Sequence, residues 1–205
     1  MPYPAFYNSV RKISLHDPLA ELLGASTDGL LEYGYLDAVK LAGHSCPTVA
    51  GAYLMTLKAL AALYGEDTPT RGNIRVAFRD DQSSGVTGVI ANVASQITGA
   101  AGDGGFKGLA GKFKRSGLLS FNAGIEGAIR FERVDRAVTV ETDYHPEQVP
   151  PDGNMSLLLQ NLLAQRGRAG DQAAFAALWQ DRVRRILIDH VDDPGLVTLT
   201  LPTQR

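Results

Sequence analysis

The sequence predicts an α+β fold, a mixed or antiparallel sheet packed with helices around a buried central helix at about 47–64. Three observations carry this reading. The stretch Thr48 to Tyr64 is apolar on nearly all faces, with Lys58 its only charged residue, and such a helix belongs in a core. Apolar residues alternate with polar ones at Ile74–Phe78, Ala137–Tyr144 and Leu196–Leu201, the pattern of half-buried strands. Two amphipathic helical runs, about 155–166 and 171–190, stand between the last two of these strands rather than alternating with every strand.

The 205 residues suit one domain over 1–205, and neither an internal repeat nor a linker divides them. With 44% hydrophobic and 20% charged residues and a net charge of −2, the chain has the make-up of a water-soluble globular protein. No global positive field and no basic-aromatic stripe recruits nucleic acid. Lys58 and two threonines interrupt the apolar helix, so a membrane span is not expected. The opening Met1-Pro2-Tyr3 lacks the basic start and apolar block of a signal peptide. A single cysteine excludes an internal disulfide and fits a reducing compartment, so a cytoplasmic protein is expected.

Taken in order, residues 1–14 read as an extended arm whose aromatic residues dock on the body. Asp17 as N-cap, Pro18 at the first helical position and Gly24 as stop mark a short helix. Residues 26–34 read as a polar link, and Leu36 to Leu41 as a brief helix. Cys46 followed by Pro47 predicts the start of the central helix: Pro47 has no N–H to lose there, and Cys46 becomes the N-cap. Its sulfur would sit at the positive end of the helix. Gly65 is the natural stop, and Ala50, Gly51 and Ala52 would let another segment approach closely.

Beyond Ile74–Phe78 the turn Asp80–Gly85 leads into a helix over 86–97, with Ser83 or Ser84 as its cap. Residues 98–117 hold seven glycines and four basic residues, a loop able to cradle a phosphate or carboxylate. It lacks the order of a phosphate-binding loop or a dinucleotide fingerprint. Residues 127–144 read as a hairpin with Val138 and Val140 inward. On the last long helix Trp179 and Val183 fall on the apolar stripe, with Asp171 as cap and Arg182, Arg184 and Arg185 facing water.

The stretch that carries chemistry is Gly43-His44-Ser45-Cys46-Pro47. Imidazole and thiolate together are zinc or iron ligands, and a working site needs one or two more donors. His16, His145, Asp80, Asp81 and Asp143 are the candidates. Cys46 is alternatively a nucleophilic or redox thiol activated by His44 and the helix end, or an inert cap.

The run from Asp37 through Gly43-His44-Ser45-Cys46-Pro47 to Tyr53 resembles the N-terminal motif of the FmdE-like family, which takes its name from a component of formylmethanofuran dehydrogenase. Asp81–Val86, Thr98-Gly99 and Phe106-Lys107 resemble that family's later block, so the likeness covers about 36–122, with 150–205 as a helical extension plus final strand. Thr48, Ser84 and Ala100 stand where the family has glycine, cysteine and cysteine, and the zinc-ribbon tail of longer members is missing. Only His44 and Cys46 therefore carry over as site residues. The resemblance implies an α+β fold, a bound zinc (iron being the other metal suited to these donors) and a homodimer; it does not imply formylmethanofuran chemistry. The expectation is a metal-binding protein using His44, Cys46 and, as third ligand, His16, which binds or hydrolyses a small anionic metabolite. An accessory metal or cofactor carrier, or a metal-free enzyme using the Cys46 thiol, are the alternatives. No catalytic residue is assigned.

Overall fold

Residues 3–136 and 138–201 are described by the computed structural model. The N-terminal arm tightens into a 3-10 turn at Ala5–Ser9, which buries Tyr7 edge-on against Tyr35, 5.2 Å between ring centroids. Strand β1 (Ile13–His16) leads into helix α1 (Pro18–Leu22). Asp17 caps it as expected, its carboxylate accepting from the Leu19 and Ala20 amides at 2.9 and 3.2 Å. Strand β2 (Leu30–Tyr33) then pairs antiparallel with β1. The polar link expected at 26–34 thus contains a strand, held by its partner rather than by a buried face of its own.

Helix α2 (Tyr35–Ala42) stops at Gly43, whose φ of +75° only glycine adopts without strain. Helix α3 (Pro47–Tyr64) is the predicted central helix, capped by Cys46 and ended at Gly65. Strand β3 (Ile74–Phe78) buries alternate residues, as its sequence requires. Helix α4 (Thr87–Thr98) has Val86 at its N-cap, and no side chain caps it. Ser83 is unavailable because its amide and hydroxyl both donate to Asp81, and Ser84 offers only its carbonyl, to the Thr87 N–H.

Strands β4 (Leu119–Ser120), β5 (Ile129–Arg133) and β6 (Thr139–Tyr144) follow. The β5–β6 hairpin is as expected, but Val138 stays exposed: the strand begins one residue later, with Val140 and Thr142 buried. Ala137, assigned to the same arm, lies outside the described residues. Helices α5 (Met155–Leu163) and α6 (Asp171–Arg184) pack against each other, α6 continuing through a wider turn at Arg185–Asp189. Gly170 rather than Asp171 is the cap, and the Asp171 carboxylate accepts from the Arg168 amide at 2.8 Å. Strand β7 (Val197–Thr200) closes the order β4-β3-β5-β6-β7, parallel between β4 and β3 and antiparallel elsewhere.

The register places Val76, Phe131 and Val140 side by side on one face of this sheet, all fully buried. Helix α3 lies across that face against β5, β6 and β7, with α4 beside it. The opposite face carries charged cross-strand pairs, Arg75 with Glu132 at 2.7 Å and Arg130 with Glu141. An α+β fold built on a mixed sheet and a buried helix is what the sequence requires. No helix among the described residues is long and apolar enough to cross a membrane.

The β1–α1–β2 unit is tied to the body by charge. Asp17, 3% exposed, accepts from Arg71 at 2.9 Å and from Arg115 at 2.7 Å. Burial alone would raise the Asp17 carboxyl; the Arg71 hydrogen bond, the Arg115 charge and two amides outweigh it and hold the pKa below its ordinary value. Arg71 also donates to the Gln96 and Ile97 carbonyls, closing the C-terminal end of α4.

Candidate functional site

The turn between α2 and α3 is fixed by its own residues. Gly43 takes the left-handed conformation, and Cys46 is extended, with φ −150° and ψ 167°. The Cys46 Sγ accepts from the Val49 N–H at 3.4 Å, a long contact from a weak acceptor. His44 Nδ1 lies 2.9 Å from the Ala42 carbonyl. A carbonyl only accepts, so the hydrogen is on Nδ1 and Nε2 keeps its lone pair in the neutral ring.

Serine is a far stronger N-cap acceptor than a thiol. Cys46→Ser is therefore expected to leave folding stability unchanged or raise it by up to about 1 kcal/mol in urea unfolding. A loss above about 1 kcal/mol would mean that the sulfur is held for packing rather than for chemistry.

His44 and Cys46 stand on the wall of a cavity of about 790 Å³. The start of α3 contributes Pro47 and Thr48, with Met55 deeper along the same helix. Val89 and Ile90 of α4 form the facing apolar side, and Asp143, Tyr144 and His145 come from the end of β6. Trp179 and Arg182 of α6 cover the last side. Three residues apart, they share one helix face.

Helix α6 also secures the motif. Trp179 Nε1 donates to the Ser45 carbonyl at 2.8 Å, and the Ser45 hydroxyl donates to Gln180 Oε1 at 3.1 Å. Tyr35 in turn donates to Ser45 Oγ at 3.0 Å, and Tyr7 to Gln180 at 3.2 Å. The middle residue of the His-Ser-Cys sequence is thus the fixed point, and its two neighbours are left facing the cavity.

Arg182 corrects the expectation that it faces water. Its Nε donates to the Val149 carbonyl at 2.7 Å and its Nη2 to the Pro146 carbonyl at 2.9 Å. Among the described residues no carboxylate pairs with it. The other charges on the wall are hydrogen-bonded too, though among the described residues Asp143, like Arg182, has no partner of opposite charge. Arg79 donates to the Glu126 carbonyl at 2.8 Å and reaches Asp80 at 3.4 Å, while Asp143 accepts from the Ala128 amide at 2.9 Å. The Tyr144 ring lies over Gly51, where any Cβ would collide with it, and its buried hydroxyl has no partner among the described residues. Burial pushes the Tyr144 phenol well up, with the Arg182 charge pulling against it.

The candidate donors do not all meet here. His44, Cys46, Asp143 and His145 line the cavity. His16 does not; it ends β1, with Nε2 2.9 Å from Glu21 Oε2. Asp81 builds its own turn, accepting from Ser83 and Asn122, and the Ser83 hydroxyl and amide bring its pKa to about 2. Asp80 lines a smaller neighbouring cavity. Among the described residues no three of His, Cys, Asp and Glu are grouped as metal ligands. The donor set therefore does not fit a zinc centre with three or four protein ligands.

The basic loop at 98–117 does not reach this cavity either: Arg115 runs inward to Asp17, and Lys107, Lys112 and Lys114 are exposed. What sequence reasoning missed is the role of α6. Its one signal was an arginine three positions after a tryptophan already placed on the apolar stripe. No protein-family model matches the chain, and no curated protein matches it.

Proposed function

We propose that the protein binds a small organic anion in this cavity, with His44 and Cys46 as the chemically reactive part of its wall. Arg182 carries the reading: a guanidinium oriented by two carbonyls, without a carboxylate partner among the described residues, against an otherwise mainly apolar wall. A cation left unpaired in such a place favours an anionic ligand. The cavity's volume lies within the range of small-molecule sites.

Trp179 is the only tryptophan in the chain, so its fluorescence reports ligand at the cavity directly. Titration with small organic carboxylates is expected to shift its emission, and Arg182→Gln to weaken binding about tenfold, as loss of one charged contact does. Equal binding of the carboxylates and of their neutral amides would overturn the reading.

The resemblance to the FmdE-like family supports a second reading, a zinc or iron ion held by His44 and Cys46 alone. The Nε2 lone pair left by the Ala42 hydrogen bond favours it. Metal content of tag-free protein, beside His44→Ala and Cys46→Ser, tests it. Near-stoichiometric metal lost in both variants supports this reading; metal-free wild type that takes up no added zinc or iron at micromolar concentration removes it.

A further inference from the structure

We infer that the ligand class is the amphipathic monocarboxylate, a single carboxylate head on an extended apolar chain; this rests on the organic-anion reading above. The head follows from the charge balance at the wall. Arg79 is set against Asp80, while Arg182 has no counter-ion among the described residues and its two carbonyl bonds use only Nε and Nη2. Nη1 remains for a ligand oxygen. Arg182 offers one positive charge to a ligand, and a doubly charged head would set its second charge in a cavity that already holds the Asp143 carboxylate.

The chain follows from what lies beyond that end. Thr48 and Met55 line the same cavity seven positions apart on α3, which separates them by about 10 Å along the helix. Met55 is 1% exposed, so the cavity extends from the helix start to a residue of the core. Val89, Ile90 and Ala128 flank this stretch and offer no side-chain hydrogen bonds. A sugar or polyol would leave hydroxyls unpaired against them. The flexible thioether of Met55 adapts to chains of different length.

The test is a homologous series, sodium butanoate, hexanoate, octanoate and decanoate below their micellar concentrations, followed by Trp179 fluorescence on the wild-type chain. Burying one methylene contributes enough to tighten binding about fourfold, so Kd is expected to fall about fourfold per added carbon until the depth is filled. Octylamine is expected to bind at least tenfold more weakly than octanoate. Arg182→Gln is expected to weaken every member about tenfold while leaving the increment per carbon unchanged. Affinity that is flat along the series, with short hydrophilic anions such as malonate binding as well as octanoate, overturns the chain assignment and leaves the anion reading standing. Octylamine binding as tightly as octanoate overturns the head, and with it both readings; no response to any anion does the same.

Discussion

Replacing Asp17 by alanine is expected to remove about 3–5 kcal/mol of folding stability, the scale of breaking a buried ion pair from one side. The carboxylate faces Arg71 and Arg115 at once, and Arg115 is itself only 7% exposed. Truncation leaves the buried Arg115 guanidinium without the carboxylate that pairs with it and also removes the cap of α1. Against a usual total of about 5–15 kcal/mol, this is a large fraction. Urea unfolding should show a lower midpoint at unchanged slope. Asp17→Asn retains an acceptor for the cap and should lose less. A loss below about 1 kcal/mol for alanine would show that water replaces the carboxylate and that the pair is not structural.

The sign of the pH dependence follows. The folded-state pKa of Asp17 is depressed, so the unfolded chain binds the proton more readily. The stabilisation is complete above the unfolded carboxylate value of about 3.9 and is lost as pH falls through the lower folded value. Wild type should therefore lose its margin over Asp17→Asn only on strong acidification.

The second large effect concerns Gly51, and its sign should depend on Tyr144. A Cβ at position 51 would stand 2.7 Å from Tyr144 Cζ and closer still to two other ring carbons. Alanine is a better helix former than glycine by about 1 kcal/mol, yet Gly51→Ala is expected to destabilise by about 2–3 kcal/mol, because the ring has a strand behind it. In a Tyr144→Ala background the same substitution should stabilise by about 1 kcal/mol. Such a reversal in a double-mutant cycle isolates the ring contact. Destabilisation of equal size in both backgrounds would place the strain elsewhere on α3.

The parts of this fold that were legible in the sequence are those where one residue type has one physical use. Pro47 after Cys46, Gly65 after seventeen mostly apolar positions, and the alternation Ile74, Val76, Phe78 each admit one local solution. Strand β2 was not legible, because four residues with two of them exposed carry too little pattern and exist through pairing with β1. The His44–Cys46 pair was visible as a motif, but its surroundings were not. His16 matches the pair in donor type and is absent from the cavity, since donor type says nothing of adjacency. Arg182 was misread because a helix end rich in arginine looks solvated until the Pro146 and Val149 carbonyls are found under it.

The clasp of Trp179 on Ser45 joins residues 134 positions apart. During synthesis the His-Ser-Cys turn emerges long before the helix that holds it. Until then the turn has its two short-range supports, Gly43 and the α3 cap, and the early sheet lacks β7. The binding chamber is therefore incomplete until α6 has been made, after most of the core residues. A ligand that fits the chamber would act on the late docking of α6 and stabilise the finished chain without hastening its earlier steps.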